Sequence, residues 1–266
     1  MIYDLQKASL LKRFSAFLLD LVLILVLFTG FMIPTSLIVG YDGYITDLEN
    51  TLTEIQDSHN ITALGEQYGV SFGDYQYMLS DEREKLPEAL REAFDACNKE
   101  MTENSEVIRL YEIIMSLSLV IISIPLLLSF LIVDFAIPLW FKNGQTLGKK
   151  IFALAVMRSD GVRISRKILF IRTVLGKYTI GTMAPALMLL SLAFGATPLI
   201  PLTVILAILL IQIVMVITTK TNSFIHDTLS STVVVDSLSQ MIFDSVDAKN
   251  EYILNAHRDD ANNADY

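Results

Sequence analysis

Apolar residues along the chain fall into four long runs that are separated by polar segments. The runs cover about residues 14–38, 113–139, 178–197 and 199–218, and each can cross about 30 Å of hydrocarbon as an α-helix. The last two runs are separated by little more than "GATPLIP", so we expect them to form a helical hairpin. The pattern predicts a multi-pass membrane protein with about four transmembrane helices. A hydrophobic content of 53% with only 18% charged residues agrees with this class.

The segment between the first two runs, residues 40–112, is strongly acidic. It holds 17 Asp and Glu against five Lys and Arg, a net charge of −12, whereas the whole chain carries a formal −9. The spacing of Leu86, Leu90, Phe94 and Cys97 is helical. We therefore expect a helical insert, and its shortage of Lys and Arg favours the extracytoplasmic side.

The loop at residues 141–177 is basic, with nine Lys and Arg against one acid, Asp160. Because positively charged loops stay in the cytoplasm, we expect this loop and both chain ends on the cytoplasmic side. Within the loop, "IFALAVMR" and "VRIS" flank a Ser-Asp-Gly turn and predict a β-hairpin. The β-branched segment "STVVVD" could add a third strand and tie the loop to the tail.

The predicted fold is an all-α integral membrane protein with a helical extracytoplasmic insert and a small cytoplasmic β-hairpin or sheet. The acidic tail after about residue 236 is expected to be disordered. The expected segments are 1–39 (amino end and first transmembrane helix), 40–112 (acidic insert), 113–140 (second transmembrane helix), 141–177 (basic loop with hairpin and interfacial helix), 178–218 (transmembrane hairpin) and 219–266 (His-Asp segment, strand and tail).

Charged residues inside the apolar runs are the main candidates for function, because burying a charge in a bilayer is costly. Asp20 and Asp134 are expected at similar depth in the cytoplasmic half. Two carboxylates at low dielectric would share a proton, bind a cation or pair with arginine. We therefore take Asp20 and Asp134 as hypothetical ion or proton ligands, with Arg13 and Arg172 as their charge partners.

His226 and Asp227 follow the last apolar run. They could form a proton relay at the cytoplasmic mouth, or Asp227 could cap a short helix while His226 bonds to the backbone. The sequence contains no Ser-His-Asp, HExxH or CxxC arrangement, so we do not expect an enzyme. We also expect no metal, no cofactor and no nucleic-acid partner.

Four segments together resemble the RDD family of bacterial membrane proteins: "KRFSAFLLDLVLI", "NGQTLGKKIFALAVMRSDG", "FIRTVLG" and "FIHDTLSSTVVV". The resemblance implies that Arg13 and Asp20 match the signature arginine and first aspartate, and that His226 and Asp227 match a late His-Asp pair. The family's role is largely unassigned, although transport has been suggested and one relative is similar to sodium/proton antiporters in activity. Many relatives have a short first loop, so the insert at residues 40–112 is a departure.

Two functions follow from these expectations. The first is a small ion-coupled transporter or cation/proton exchanger, in which a monovalent cation or proton binds the membrane-embedded carboxylates. Four helices are few for a carrier pathway, so this function implies a homo-oligomer in the lipid bilayer. The second is a non-transporting membrane scaffold, in which the buried charges are structural and the charged loops bind partners.

Overall fold

A computed structural model describes residues 5–141, 143–183 and 199–264, together with residues 186 and 191. The chain divides into two compact units. The first unit combines Met1–Met32 with Ile122–Tyr266, and the second is Ile33–Ile121.

Two helices in the described part are long and apolar enough to cross a membrane. The first is α1, Leu10–Val39, and the second is a continuous helical stretch over Ser105–Phe141; both reach a mean hydropathy of 2.6. In the most apolar 18-residue stretch of each helix, only 17% and 33% of the residues, respectively, are buried inside the protein. Such long, exposed Leu, Ile, Val and Phe surfaces suit a helix that lipid surrounds.

The second long helix changes its winding near its end. It consists of α7 (Ser105–Phe130), a π-helical segment (Leu131–Ala136) and α8 (Ile137–Phe141). A longer π-helical segment, Arg172–Met183, follows the short helix α10 (Arg166–Ile171). π-helical turns are rare and are frequent at functional sites, so these two segments indicate a candidate functional site.

The four-span prediction is met only in part. Helix α11, Leu199–Thr218, coincides with the fourth predicted span, but its apolar stretch Leu202–Thr218 is shorter than the two long helices. The third predicted span, 178–197, begins in the second π-helical segment, and most of its remainder lies outside the described residues.

The second unit is built from helices around α6 (Glu88–Glu103), as the spacing in the acidic insert predicts. Leu90, Phe94 and Cys97 on α6 are fully buried. The rings of Phe72 and Tyr75 pack edge-on against Phe94, at centroid distances of 5.3 and 5.1 Å. The helices of the insert are α2 (Tyr41–Ser58), α3 (Ile61–Tyr68), α4 (Phe72–Tyr77), α5 (Ser80–Arg83) and α6 (Glu88–Glu103).

A two-stranded antiparallel sheet ties the basic loop to the tail, as predicted. Strand β1 (Leu154–Arg158) pairs with β2 (Thr232–Asp236), and the short helices α9 (Leu147–Ile151) and α12 (Ile225–Leu229) precede the two strands. The predicted return strand of the hairpin is corrected. The segment forms isolated bridges, Met157 to Arg163 and Val162 to Phe243, whereas the regular partner of β1 is β2, whose β-branched residues are buried.

The predicted disorder of the tail is also wrong for most of its length. Helix α13 covers Val246–Ala264. The ring of Phe243 contacts Tyr252 at 5.5 Å, and the Lys249 ammonium donates a hydrogen bond to the Asp160 carbonyl at 2.6 Å. These anchors hold the start of the helix, whereas the acidic composition of the tail alone suggested a free chain.

Candidate functional site

Charged side chains are concentrated inside the first unit, where α1, both π-helical segments, α9 and α12 contribute them. Burial of so many charges requires pairing, because an isolated buried charge is very unfavourable. The residues are Arg13, Asp20, Asp134, Lys149, Arg172, Lys177 and Asp227; all are buried except Lys177, which is half-buried.

Asp227 is held between two arginines. Its Oδ2 lies 2.9 Å from Arg13 Nη2, and its Oδ1 lies 2.5 Å from Arg172 Nη1. Burial alone would raise the pKa of Asp227, but the adjacent cations, Arg172 first, hold it well below its ordinary value. We call Arg13, Arg172 and Asp227 the Asp227 cluster; it joins α1, the second π-helical segment and α12.

Backbone and hydroxyl groups complete the Asp227 cluster. The backbone N–H of Phe224 donates to Asp227 Oδ2 at 3.1 Å, so Asp227 caps the short helix α12. Arg13 donates to the Asn222 carbonyl at 2.6 Å, and Arg172 donates to Thr232 Oγ1 at 2.5 Å. This dense bonding is typical of a structural centre.

Asp20 also has both carboxylate oxygens bonded. Thr146 Oγ1 donates to Oδ2 at 2.5 Å, and the N–H of Gly148 donates to Oδ1 at 2.8 Å. A Cβ on Gly148 would lie 2.2 Å from the Ala16 carbonyl oxygen, so only glycine permits this approach of α9 to α1. Gly148 of "GQTLGKK" therefore serves close packing on the Asp20 carboxylate.

Asp134 is bonded less completely. Its Oδ1 forms an ion pair with Lys177, and its backbone carbonyl accepts a hydrogen bond from Thr173 Oγ1 at 2.8 Å. Its Oδ2 is buried and has no hydrogen-bond partner in the described part of the chain. A buried carboxylate oxygen without a donor is uncommon and can accept a cation, a proton or a water. We call Asp134 and Lys177 the Asp134 site.

Lys149 lies beside the Asp20 carboxylate. Its ammonium donates to Thr146 Oγ1 at 3.1 Å and is 3.8 Å from Asp20 Oδ2. Burial, with Lys177 and Arg172 nearby, lowers the pKa of Lys149 to about 7, although Asp134 and Asp20 act in the opposite direction. Lys149 therefore titrates near neutral pH.

This shift predicts a pH dependence of stability. The folded pKa of about 7 lies below the ordinary value of 10.5, so between these values the unfolded chain binds more protons and stability rises with pH. Below about pH 7 the full penalty of the buried ammonium is present. We expect the melting temperature of the wild type in detergent to rise from pH 7 to pH 10, and Lys149→Met to flatten that rise. An equal slope in both proteins would contradict the assignment.

His226 packs instead of titrating near neutral pH. Its ring stacks on Phe224 with centroids 5.6 Å apart, and a Cβ on Gly176 would come within 2.4 Å of His226 Cβ. Burial first, with Arg172 and nearby lysines, lowers the pKa of His226 to about 3, despite Asp227. A neutral imidazole at physiological pH favours the structural alternative for His226 over the proton relay.

The prediction of the acids that pair with Arg13 and Arg172 was wrong. Sequence reasoning paired Arg13 and Arg172 with Asp20 or Asp134, whereas both arginines meet Asp227. Asp20 and Asp134 instead have lysine partners, Lys149 and Lys177, that the sequence did not indicate.

Two apolar helices long enough to cross a membrane, joined to a buried charge network, define a membrane-type domain. The sequence profile of the RDD family matches residues 7–231, so the chain belongs to the RDD family. The searches of curated proteins and of solved structures gave no match.

Proposed function

We propose that this RDD-family protein is an ion-coupled membrane transporter that exchanges a monovalent cation for a proton at the Asp134 site. The observation that carries the proposal is the buried Oδ2 of Asp134, which has neither a hydrogen bond nor an ion pair among the described residues. Asp134 lies in the longer of the two apolar helices, at a π-helical segment, and its other carboxylate oxygen, Oδ1, pairs with Lys177. A cation could bind the carboxylate there if the lysine gave up its charge.

The Asp134 site differs from the Asp227 cluster in the type of cationic side chain beside the carboxylate. A guanidinium cannot deprotonate in a protein, whereas an ammonium can. The Asp227 cluster therefore keeps a fixed charge, and its carboxylate is occupied by two arginines. Among the buried acids that the structure describes, Asp20 and Asp134 face lysines, and Asp20 already accepts two hydrogen bonds.

The exchange step balances in charge and in atoms. A monovalent cation approaches Asp134 Oδ2, the Lys177 ammonium transfers one proton to water, and the cation replaces the ammonium as the partner of the carboxylate. The charge of the site is unchanged because one positive charge enters and one leaves. Lys149, with its pKa of about 7, adds a second group whose proton content changes near neutral pH. Asp20, Arg13 and Arg172 then have structural roles, instead of the roles as ion ligand (Asp20) and charge partners of the ligands (Arg13 and Arg172) that the sequence suggested.

The proposal includes an arrangement in the bilayer. The basic loop and both chain ends lie in the cytoplasm, the acidic insert lies outside, and a homo-oligomer supplies enough helices for a pathway. No cofactor takes part. The lipid bilayer covers the exposed apolar faces of α1 and α7.

Cysteine labelling tests this orientation. The native Cys97 is fully buried and burial raises its pKa to about 11, so it should react slowly with a maleimide. We expect an impermeant maleimide to label Lys99→Cys in intact cells and to label Lys167→Cys only after permeabilisation; both native lysines are exposed. The reverse pattern would contradict the orientation and the proposed cytoplasmic location of the loop.

The transport function is tested by proton flux. Purified protein is reconstituted in liposomes that contain a pH-sensitive dye, and Na⁺ or K⁺ is added outside an acidic lumen. The proposal predicts cation-dependent proton efflux that scales with the amount of protein and is absent from empty liposomes. Flux equal to that of empty liposomes with either cation would contradict it.

A scaffold remains the second candidate, because Asp20 and Asp227 have the dense bonding of structural groups. In that case the wild type shows no cation-dependent flux. Replacements of Asp134 and Lys177 then change only the stability of the fold.

A further inference from the structure

An exposed surface of aromatic, basic and aliphatic side chains lies where the long helix Ser105–Phe141 ends. Trp140 is 81% exposed, and its ring stacks on Phe141 at 6.4 Å. The Lys150 ammonium lies 3.9 Å from the centroid of the Phe141 ring, and Ile151 is 66% exposed. We call these four residues the Trp140 surface.

The charge of Lys150 is available to a ligand. Lys150 is exposed, and no carboxylate of the described residues forms an ion pair with it. Its neighbour Lys149 is buried beside Asp20. The two adjacent lysines of "GKK" therefore have different roles, one inside the charge network and one on the surface.

A second basic segment lies close to the same helix. Arg166 and Lys167 open α10 and are exposed, and Phe170 one turn later is 47% exposed. The ring of Phe170 packs edge-on against Phe135 at 5.6 Å. Phe135 belongs to the same long helix as Trp140, so α10 extends the combination of cations and exposed apolar groups.

We propose that the Trp140 surface binds anionic phospholipid, with Lys150 contacting the headgroup phosphate and with Trp140 and Ile151 in the adjoining acyl region. Charge complementarity identifies the occupant, because an unpaired ammonium beside exposed apolar groups matches a negative headgroup above hydrocarbon. Amphipathic aromatic rings concentrate at the boundary between headgroups and hydrocarbon. A basic residue near an anionic leaflet gains about 1 kcal/mol.

The single tryptophan of the chain makes the proposal directly measurable, since all tryptophan fluorescence comes from Trp140. The full-length protein is reconstituted in two vesicle preparations of identical headgroup composition, phosphatidylcholine with a minority of phosphatidylglycerol. In one preparation only the phosphatidylglycerol chains are brominated; in the other, an equal mole fraction of the phosphatidylcholine is brominated. Bromine quenches tryptophan only at short range, so quenching reports which lipid lies beside Trp140.

We expect stronger quenching by brominated phosphatidylglycerol, which corresponds to about fivefold local enrichment of the anionic lipid for one basic residue. In Lys150→Gln, quenching of Trp140 should become nearly equal in the two preparations. The matched control Lys99→Gln, on the insert, should keep the stronger quenching by brominated phosphatidylglycerol. Soluble glycerol phosphate should not abolish the preference, because the site recognises the lipid. Equal quenching of the wild type in the two preparations, no quenching in either, or a preference that survives Lys150→Gln would overturn the proposal.

Discussion

Replacing Asp227 with Asn is expected to destabilise the fold by about 3–5 kcal/mol, the usual cost of leaving a buried charge uncompensated. The carboxylate is the shared partner of Arg13 and Arg172, and all three groups are buried. Asn keeps the size of the side chain but removes the charge, so two guanidiniums would face each other without an acid. Thermal unfolding in detergent measures the loss.

A double-mutant cycle shows whether the contact is the cause. Adding Arg172→Leu to Asp227→Asn should recover part of the stability, because one of the two uncompensated cations is removed. Arg172→Leu combined with Asp20→Asn provides the comparison, since no hydrogen bond or ion pair joins Arg172 to Asp20 in the described structure. The observed pairing would be contradicted if the stability losses of Arg172→Leu and Asp227→Asn were additive while those of Arg172→Leu and Asp20→Asn were not.

Lys177→Arg is expected to abolish exchange while the protein remains folded. Arginine preserves the positive charge beside Asp134 but cannot release its proton. The proposed step needs that release, so the rate of cation-dependent proton efflux should fall by about a hundredfold, as when a positioned proton-transfer group is lost. The melting temperature should change little.

The matched control is Lys99→Arg, which makes the same chemical change at an exposed position of the insert. It should leave both exchange and stability at the wild-type level. Exchange at the wild-type rate in Lys177→Arg would show that deprotonation of this lysine is not part of transport.

The large features of the fold follow from sequence patterns that are long and repeated. α1 and the helix Ser105–Phe141 are long apolar runs, and the spacing of Leu90, Phe94 and Cys97 on α6 is helical. The sheet was predicted from β-branched residues in β2. The regular partner of β1 was harder to predict, because Met157 pairs with Val233 of β2 and also forms a bridge to Arg163 after the turn. The sequence pattern alone does not show which of the two pairings extends into a strand.

The candidate site was predicted as a set of residues but not as a set of pairs. Arg13, Asp20, Asp134 and Arg172 stand out because charges are rare in apolar runs. Lys149 and Lys177 do not stand out, because they belong to a loop with nine Lys and Arg in which the sequence does not distinguish buried lysines from exposed ones. The π-helical winding around Asp134 and Lys177 has no simple sequence pattern, and it decides which side chains face each other.

The role of Asp134 is tested most directly by measuring exchange and melting temperature on one preparation of Asp134→Asn, beside Asp81→Asn as the matched change at an exposed acid. Asn keeps the shape of the side chain but cannot balance a bound cation. The account predicts that Asp134→Asn remains folded and loses cation-dependent proton efflux, while Asp81→Asn behaves as the wild type. Wild-type efflux from folded Asp134→Asn would contradict the proposal that this carboxylate is the exchange site.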